Sequence, residues 1–479
     1  MAKTKIVATL GPACSDAAAI LSLIERGVDI FRINFSQGSL DQHVVYLDAL
    51  NKARQRTERV VALMGDLCGP KIRTGRMTPD AQTVKPGEFV TIEAGLEQGN
   101  VHHFETNYEH FVTDVRVGHR VFIDDGKVAL KVIQQDEDKV VCEVILGGVL
   151  KSRKGINLPD TLVSAPSITD YDWQCAQWAV AHNIDFLALS FVRSVDDINS
   201  LREFLNKADS EIRIVAKLET PQAIQNQKEI ILASDAALVA RGDLGVEMDL
   251  ASVPLMQKQI TQFCRDQGKP VIVATHMLQS MIDSPTATRA EVSDIANAII
   301  DFTDAVLLSG ETAIGLYPDR TIDMINNIAL VTEGYLDRTV NVHPKGASDK
   351  AFTQTAIMAG CAGQIVDDIQ AKLVVVWSQG GGTAQFLGKT RVDVPILAMS
   401  SSQLVCRQMC LNYGVNPYFH AMPETIEQFT QLVDHVVKSQ GLAEAGDKIV
   451  LVTGQPLGGE GTTNAIVIHT VTTGLSPSP

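Results

Sequence analysis

Short runs of β-branched and small apolar residues, each closed by a polar or turn residue, recur along the first two thirds of the chain. In the middle they are Ile212–Lys217 followed by Glu219, Ala236–Arg241 followed by Gly242 and Asp243, Val271–Thr275, and Ala305–Ser309 followed by Glu311. Continuous rather than alternating apolar runs predict strands of a parallel sheet buried on both faces. Spacings of about 25–35 residues leave room for one crossover helix per strand. Lys5–Leu10, Asp29–Ile33, Val60–Asp66 and Asp185–Ser190 follow the same pattern and bring the total to eight. Eight such strands close a (β/α)8 barrel, whose active site lies at the carboxyl ends of the strands. Helical periodicity falls between them, as in Ala17–Arg26 and Asp41–Arg56, with Asp16 and Ser39 placed as N-caps.

The rhythm breaks once, between the third and fourth strands. There the segments are short and alternate with period two: Phe89–Glu93, Arg120–Ile123, Val128–Ile133 and Lys139–Ile145, separated by turn residues. An inserted small β-barrel domain is expected over 68–166, placed at a βα loop where it would act as a lid. It divides the barrel domain into 1–67 and 167–340. A helix over Arg320–Arg338 and a polar stretch, Asn341–Lys350, precede strands at Lys372–Trp377, Pro395–Met399, Lys448–Thr453 and Ala465–Thr470. These predict a C-terminal α/β domain over 341–479.

A length of 479 residues suits this division, and 45% hydrophobic with 20% charged residues places the chain among globular proteins. No apolar run approaches the roughly 18 residues of a membrane span. The first run is too short for a signal segment and reads as a strand. Eight scattered cysteines without a CxxC pair suggest reduced thiols and a cytoplasmic location, and Cys406 with Cys410 lacks partners for a metal site. The net charge of −15 argues against nucleic-acid binding but leaves anionic small substrates open, since local Arg and Lys clusters decide that question.

Chemistry concentrates at the strand ends. Lys217 and Glu219 share one face of their strand, where a buried Lys is costly unless paired or placed in a site. Either a rim ion pair or a catalytic pair meets that need. Glu219 and Asp243, on adjacent strand ends, form a donor set for Mg²⁺, with Mn²⁺ as the alternative, and Gly242 permits close approach of a ligand to the backbone. Arg32 and Arg73 suit phosphate or carboxylate. Asn34, Ser36, Asp66, Thr275, Ser309 and Glu311 complete the ring of polar groups.

With these residues in view, the chain resembles the pyruvate kinase family over nearly its full length. The matching text includes Thr9-Leu10-Gly11-Pro12, Arg32-Ile33-Asn34-Phe35-Ser36, Gly69-Pro70-Lys71-Ile72-Arg73, Lys154-Gly155-Ile156-Asn157, Ala216-Lys217-Leu218-Glu219, Arg241-Gly242-Asp243-Leu244-Gly245, Thr288-Arg289-Ala290-Glu291 and Ser309-Gly310-Glu311-Thr312. The resemblance implies phosphoryl transfer from phosphoenolpyruvate to ADP, with Glu219 and Asp243 as Mg²⁺ ligands and Lys217 steadying the phosphoryl group. It implies that Arg32 orients phosphate, that the backbone at Gly242 and Asp243 holds the substrate carboxylate with Thr275, and that Asn34, Arg73 and Lys154 meet the nucleotide. Thr275 and Ser309 are candidates for returning a proton through water. Asn34, Ser36, Asp66 and the Leu67 carbonyl match a monovalent-cation pocket, but Lys71 stands where potassium-dependent members carry Glu. Its ammonium is expected to replace K⁺. Gln37 and His276 also depart from the common pattern, which suggests altered nucleotide contacts. In the C-terminal domain the turn Ser378, Gly380, Gly381, Gly382 and Thr383, with the Gly-rich loop Gly454–Thr463, is the expected effector site for a phosphorylated sugar or AMP. Homotetramer assembly follows from the resemblance alone. Two rivals stand beside this reading: another Mg²⁺ barrel acting on phosphoenolpyruvate or pyruvate, and a catalytically silent metabolite sensor.

Overall fold

The computed structural model describes residues 2–93, 95–96, 98–336, 350–457 and 463–473. Eight parallel strands form a closed barrel. They are β1 (Lys5–Thr9), β2 (Ile30–Asn34), β3 (Ala62–Asp66), β4 (Phe186–Leu189), β5 (Arg213–Leu218), β6 (Ala236–Ala240), β7 (Val271–Ala274) and β8 (Ala305–Leu308). Each pairs with its neighbour in sequence, and β8 closes on β1.

Alternation along each strand explains the unbroken apolar runs. Val7, Ile30, Met64, Ala188, Val215, Leu238, Ile272 and Leu307 fill the barrel interior, while Ile6, Phe31, Leu63, Leu187, Ile214, Val239, Val273 and Val306 meet the surrounding helices. Neither face sees water, so neither tolerates a polar residue except at the strand ends. The helix Ala17–Arg26 begins where Asp16 accepts hydrogen bonds from the Ala18 and Ala19 amides, and Ser39 caps Leu40–Arg54 through Gln42.

Residues after β3 form a six-stranded sheet and a two-stranded ribbon, Ala81–Val84 with Gly148–Lys151. Among the described residues the larger sheet does not close on itself, so the expected small barrel is a half-barrel. Its core is separate from that of the main barrel. The helix expected at Arg320–Arg338 runs over Pro318–Leu336, and 341–349 lie outside the described residues.

The C-terminal domain is a five-stranded sheet flanked by helices. One of its strands, Val415–Phe419, escaped the sequence pattern because Pro417 breaks it, and it sits at the sheet edge, where proline is tolerated. This domain docks on the amino-terminal end of the barrel. Cys410 and Leu411 join the barrel's interior cluster. Lys389 and Arg391 pair with the buried Asp304, and Arg407 with the buried Asp185. No helix among the described residues is long and apolar enough to cross a membrane.

Candidate active site

At the opposite, carboxyl-terminal end of the strands lies a polar cavity of about 160 Å³. Its walls bring together Arg32, Asn34, Ser36, Asp66, Leu67, Lys71, Arg73, Lys217, Glu219, Asp243, Thr275 and Ser309, which are scattered over 278 positions of sequence counted from 32 to 309. Gln37 lines it as well.

Lys217, on β5, is the hub. Its ammonium lies 3.4 Å from Asp66 Oδ1 and 3.3 Å from Glu219 Oε2, and donates to Ser190 Oγ at 2.7 Å. Burial works against its charge, but Asp66 and Glu219, with Asp243 behind them, outweigh burial and raise the amine above its ordinary value. Asp66 shows the complementary balance. Burial would raise its carboxyl, yet Lys217 and Arg32 together hold it below the usual range. Arg32 grips Asp66 Oδ2 through Nε (2.8 Å) and Nη2 (2.7 Å), while Nη1 donates to Thr9 Oγ1 (2.9 Å). The guanidinium is thereby fixed before any ligand arrives.

Glu219 differs. Its Oε1 accepts the Phe191 amide at 2.7 Å, but the fully buried Oε2 accepts no hydrogen bond. Burial, reinforced by Asp243 and opposed by Lys217, pushes its carboxyl up. Oε2 pairs with the Lys217 ammonium at 3.3 Å without a hydrogen bond, which leaves lone pairs open to a second cation. With Asp243 on the same cavity wall, the donor set fits Mg²⁺, which favours one or two carboxylates and completes its shell with water and substrate oxygens. Among the described residues no cluster of three or more His, Cys, Asp or Glu competes as a metal site.

Thr275 adopts a left-handed backbone with φ of 72°, unusual for a β-branched residue. Its hydroxyl accepts the Gly242 amide at 2.7 Å and donates to the Ala274 carbonyl at 2.6 Å. The fit is close at Gly242, where a Cβ would stand 3.3 Å from Thr275 Cβ and Oγ1. Ser309 has its amide held by Glu311, which also accepts from the Leu278 amide.

Several contributors were absent from the sequence argument. Ser190 and Phe191 follow β4, and the strand-end rule that found Lys217 would have pointed to them. Thr9, at the end of β1, entered only within quoted matching text. Arg241 appeared only as motif text, yet its Nη1 reaches Asp294 (2.6 Å) and its Nη2 reaches the Thr275 carbonyl (2.9 Å). No local sequence signal marks Asp294, which lies on a following helix. Asp172 accepts from the Cys68 and Gly69 amides and so fixes the loop leaving β3.

Lys154, His276 and the C-terminal turn lie outside the cavity wall. Lys154 lies in the inserted domain, paired with Asp124 at 3.1 Å. Lys71 is exposed on the cavity wall, and His276 is exposed beside Thr275. Asn157 of the inserted domain donates to Glu247 at 2.7 Å, tying the insertion to the barrel. Burial pushes that glutamate up to about 7, with the Asn157 amide pulling the other way. In the C-terminal turn the Gly380 carbonyl accepts from Arg213 (3.0 Å), Gly381 is left-handed, and the hydroxyls of Thr383 and Thr463 are 2.7 Å apart. Ser378 is buried there, Gly382 opens the helix Gly382–Thr390, and residues 458–462 of the facing loop lie outside the described residues.

Comparison with known proteins gives a consistent result. The family model described as "Pyruvate kinase, barrel domain" matches residues 1–322, and "Pyruvate kinase, alpha/beta domain" matches 356–469. A pyruvate kinase of Mycobacterium intracellulare is 38% identical over 467 residues, covering 98% of this chain and 98% of the relative. One of Staphylococcus epidermidis is 37% identical over 477 residues, covering 98% of this chain and 81% of the relative. Among solved structures, a pyruvate kinase from Cryptosporidium parvum superposes with a TM-score of 0.91 at 31% identity, covering 98% of this chain and 96% of that one.

Proposed function

The chain belongs to the pyruvate kinase family and is a phosphotransferase, and from that premise we propose that it moves the phosphoryl group of phosphoenolpyruvate to ADP, giving pyruvate and ATP. The observation that carries the reading is the buried Lys217 ammonium held between two carboxylates, one of which keeps an oxygen that no hydrogen bond reaches. Phosphoryl transfer needs little covalent chemistry from the protein, and depends on positioning and on neutralising charge. Lys217 supplies a fixed positive charge beside the transferring group, and Arg32, locked by Asp66 and Thr9, orients the phosphate oxygens. Glu219 and Asp243 would hold Mg²⁺, which supplies further charge neutralisation on the phosphate. The backbone amides of Gly242, now bonded to Thr275, and Asp243 would take the substrate carboxylate together with Thr275 Oγ1. Thr275 and Ser309 line the same cavity and are placed to return a proton to the enolate through water. Asn34, Arg73 and Lys154 are assigned to the nucleotide.

Lys71 lines the cavity wall that also carries Asn34, Ser36, Asp66 and Leu67. This supports a protein that works without K⁺. The turn Ser378–Thr383 is assigned to a phosphorylated sugar or AMP as activator, and homotetramer assembly remains part of the proposal.

A lactate-dehydrogenase-coupled assay tests the core of this reading. With phosphoenolpyruvate, ADP and Mg²⁺, turnover is expected in a K⁺- and Na⁺-free buffer, and EDTA is expected to abolish it. No pyruvate formed with Mg²⁺ present, either with or without K⁺, refutes the proposed reaction. Turnover that appears only on adding K⁺ refutes the role of Lys71 and leaves the reaction standing.

A further inference from the structure

The short helix Arg241–Glu247 follows β6 and carries Gly242 and Asp243. Its seven residues span about 10 Å at helical rise, and its two ends are held by different domains. The first turn is fastened to the barrel. There the Gly242 amide donates to Thr275 Oγ1, and Arg241 reaches Asp294 and the Thr275 carbonyl. The last residue is fastened to the inserted domain, because Glu247 Oε1 accepts the Asn157 side-chain amide at 2.7 Å. Among the described residues no other hydrogen bond or ion pair joins the inserted domain to this helix. A cavity of about 70 Å³ lies alongside, lined by Pro70, Ile72, Leu158, Phe191 and Glu247, so packing does not back the bond on that side.

Asn157 is itself firmly placed. Its strand, Ile156–Asn157, pairs with Phe122 and Ile123 in the larger sheet of the inserted domain. The chain returning to the barrel is clasped by Arg193, whose guanidinium donates to the carbonyls of Val163 and Ala165 and to Ser167 Oγ. From the side of the inserted domain, the Tyr108 hydroxyl accepts the Ser164 amide at 2.9 Å. The outgoing chain is held at Cys68 and Gly69 by the buried Asp172. The inserted domain is therefore anchored at both linkers, and Asn157 is its polar contact with the helix.

We propose that Asn157 and Glu247 are positioning residues: through their hydrogen bond the inserted domain sets where the Gly242 and Asp243 backbone amides stand. Neither side chain reaches the groups assigned to the reaction. A single stiff element carries the effect from one end to the other. With Glu247 released, the helix keeps only its barrel-side fastening, and the amides at its start lose one of the two constraints on their direction. Misplacement of binding groups by about 1 Å is enough to cost up to about 100-fold.

The identity of the ligand at Gly242 rests on the function proposed above, whereas the mechanical coupling does not. Hydrogen exchange of the full chain without substrates reads the coupling alone. In Asn157→Ala the Met248 amide, bonded to the Leu244 carbonyl at 2.9 Å, is expected to exchange at least threefold faster. Coupled kinetics read the consequence. The KM for phosphoenolpyruvate is expected to rise at least fivefold in Asn157→Ala, and further in Asn157→Asp, which sets carboxylate against carboxylate. Combining Asn157→Asp with Glu247→Gln again faces a donor with an acceptor, their places reversed, and is expected to bring that KM back within twofold of the parent. Asn157→Asp and the double variant decide the matter if Asn157→Ala does not fold. Unchanged exchange at Met248 overturns the proposal, and so does a double variant no better than Asn157→Asp. A KM rise confined to ADP reports a loosened inserted domain alone and also overturns it. Absence of turnover in the parent chain refutes the reaction instead, and leaves the exchange measurement to decide the coupling.

Discussion

Replacing Lys217 by Met removes a charge while keeping most of the side-chain volume. The ammonium lies 3.3–3.4 Å from two carboxylate oxygens, so a phosphoryl oxygen taking a similar place would meet it at comparable distance. Two unit charges at that separation interact by about 5 kcal/mol at an effective dielectric constant near 20. If that attraction grows mainly in the transition state, its loss lowers kcat by about 10³–10⁴-fold. Phosphoenolpyruvate binding, shared among Arg32, Gly242 and Thr275, should weaken far less. The assay is the coupled reaction under saturating phosphoenolpyruvate and ADP, with circular dichroism and a urea titration as controls for folding. Asp66 retains Arg32 as a partner in the variant, so the fold should survive. A folded variant that loses less than tenfold in kcat refutes the assigned role.

Three further outcomes follow from the same geometry. Gly242→Ala forces a Cβ to 3.3 Å from Thr275, so the KM for phosphoenolpyruvate should rise about tenfold, roughly 1.4 kcal/mol, with little change in stability. Arg241→Lys removes the fork that joins Asp294 to the Thr275 carbonyl, where a left-handed residue stores about 1–3 kcal/mol of strain. Steady-state kinetics should show kcat/KM falling at least tenfold, and Asp294→Asn should fall in the same direction by less. Lys389→Met leaves the buried Asp304 with Arg391 as its remaining charged partner, and should destabilise the chain by about 3–5 kcal/mol, seen as a lower urea midpoint.

The barrel was legible because its strands are buried on both faces, and only continuous apolar runs satisfy that environment. All eight expected strands correspond to barrel strands, with ends shifted by one or two residues. The strand Val415–Phe419 was not legible, since Pro417 and an edge position remove the apolar signature. Site residues at strand ends were readable for a related reason: a polar group closing an apolar run has few places to go except the barrel mouth. Ser190 met the same condition and was passed over. Asp294 could not have been found, because its contact with Arg241 is made by a helix 53 positions away whose local pattern carries no trace of it.

Local chain chemistry, then, settled which segments become strands, where helices begin and which side chains carry charge into the mouth, since burial periodicity and capping act over a few residues. What awaited the folded molecule was every relation across distance. The Glu219 oxygen that no hydrogen bond reaches, the left-handed Thr275 braced by Arg241, and the two arginines sharing Asp185 each depend on atoms brought together from remote positions. Charge and hydrogen-bond balance in a buried site are properties of that assembled neighbourhood, and no single stretch of residues contains them.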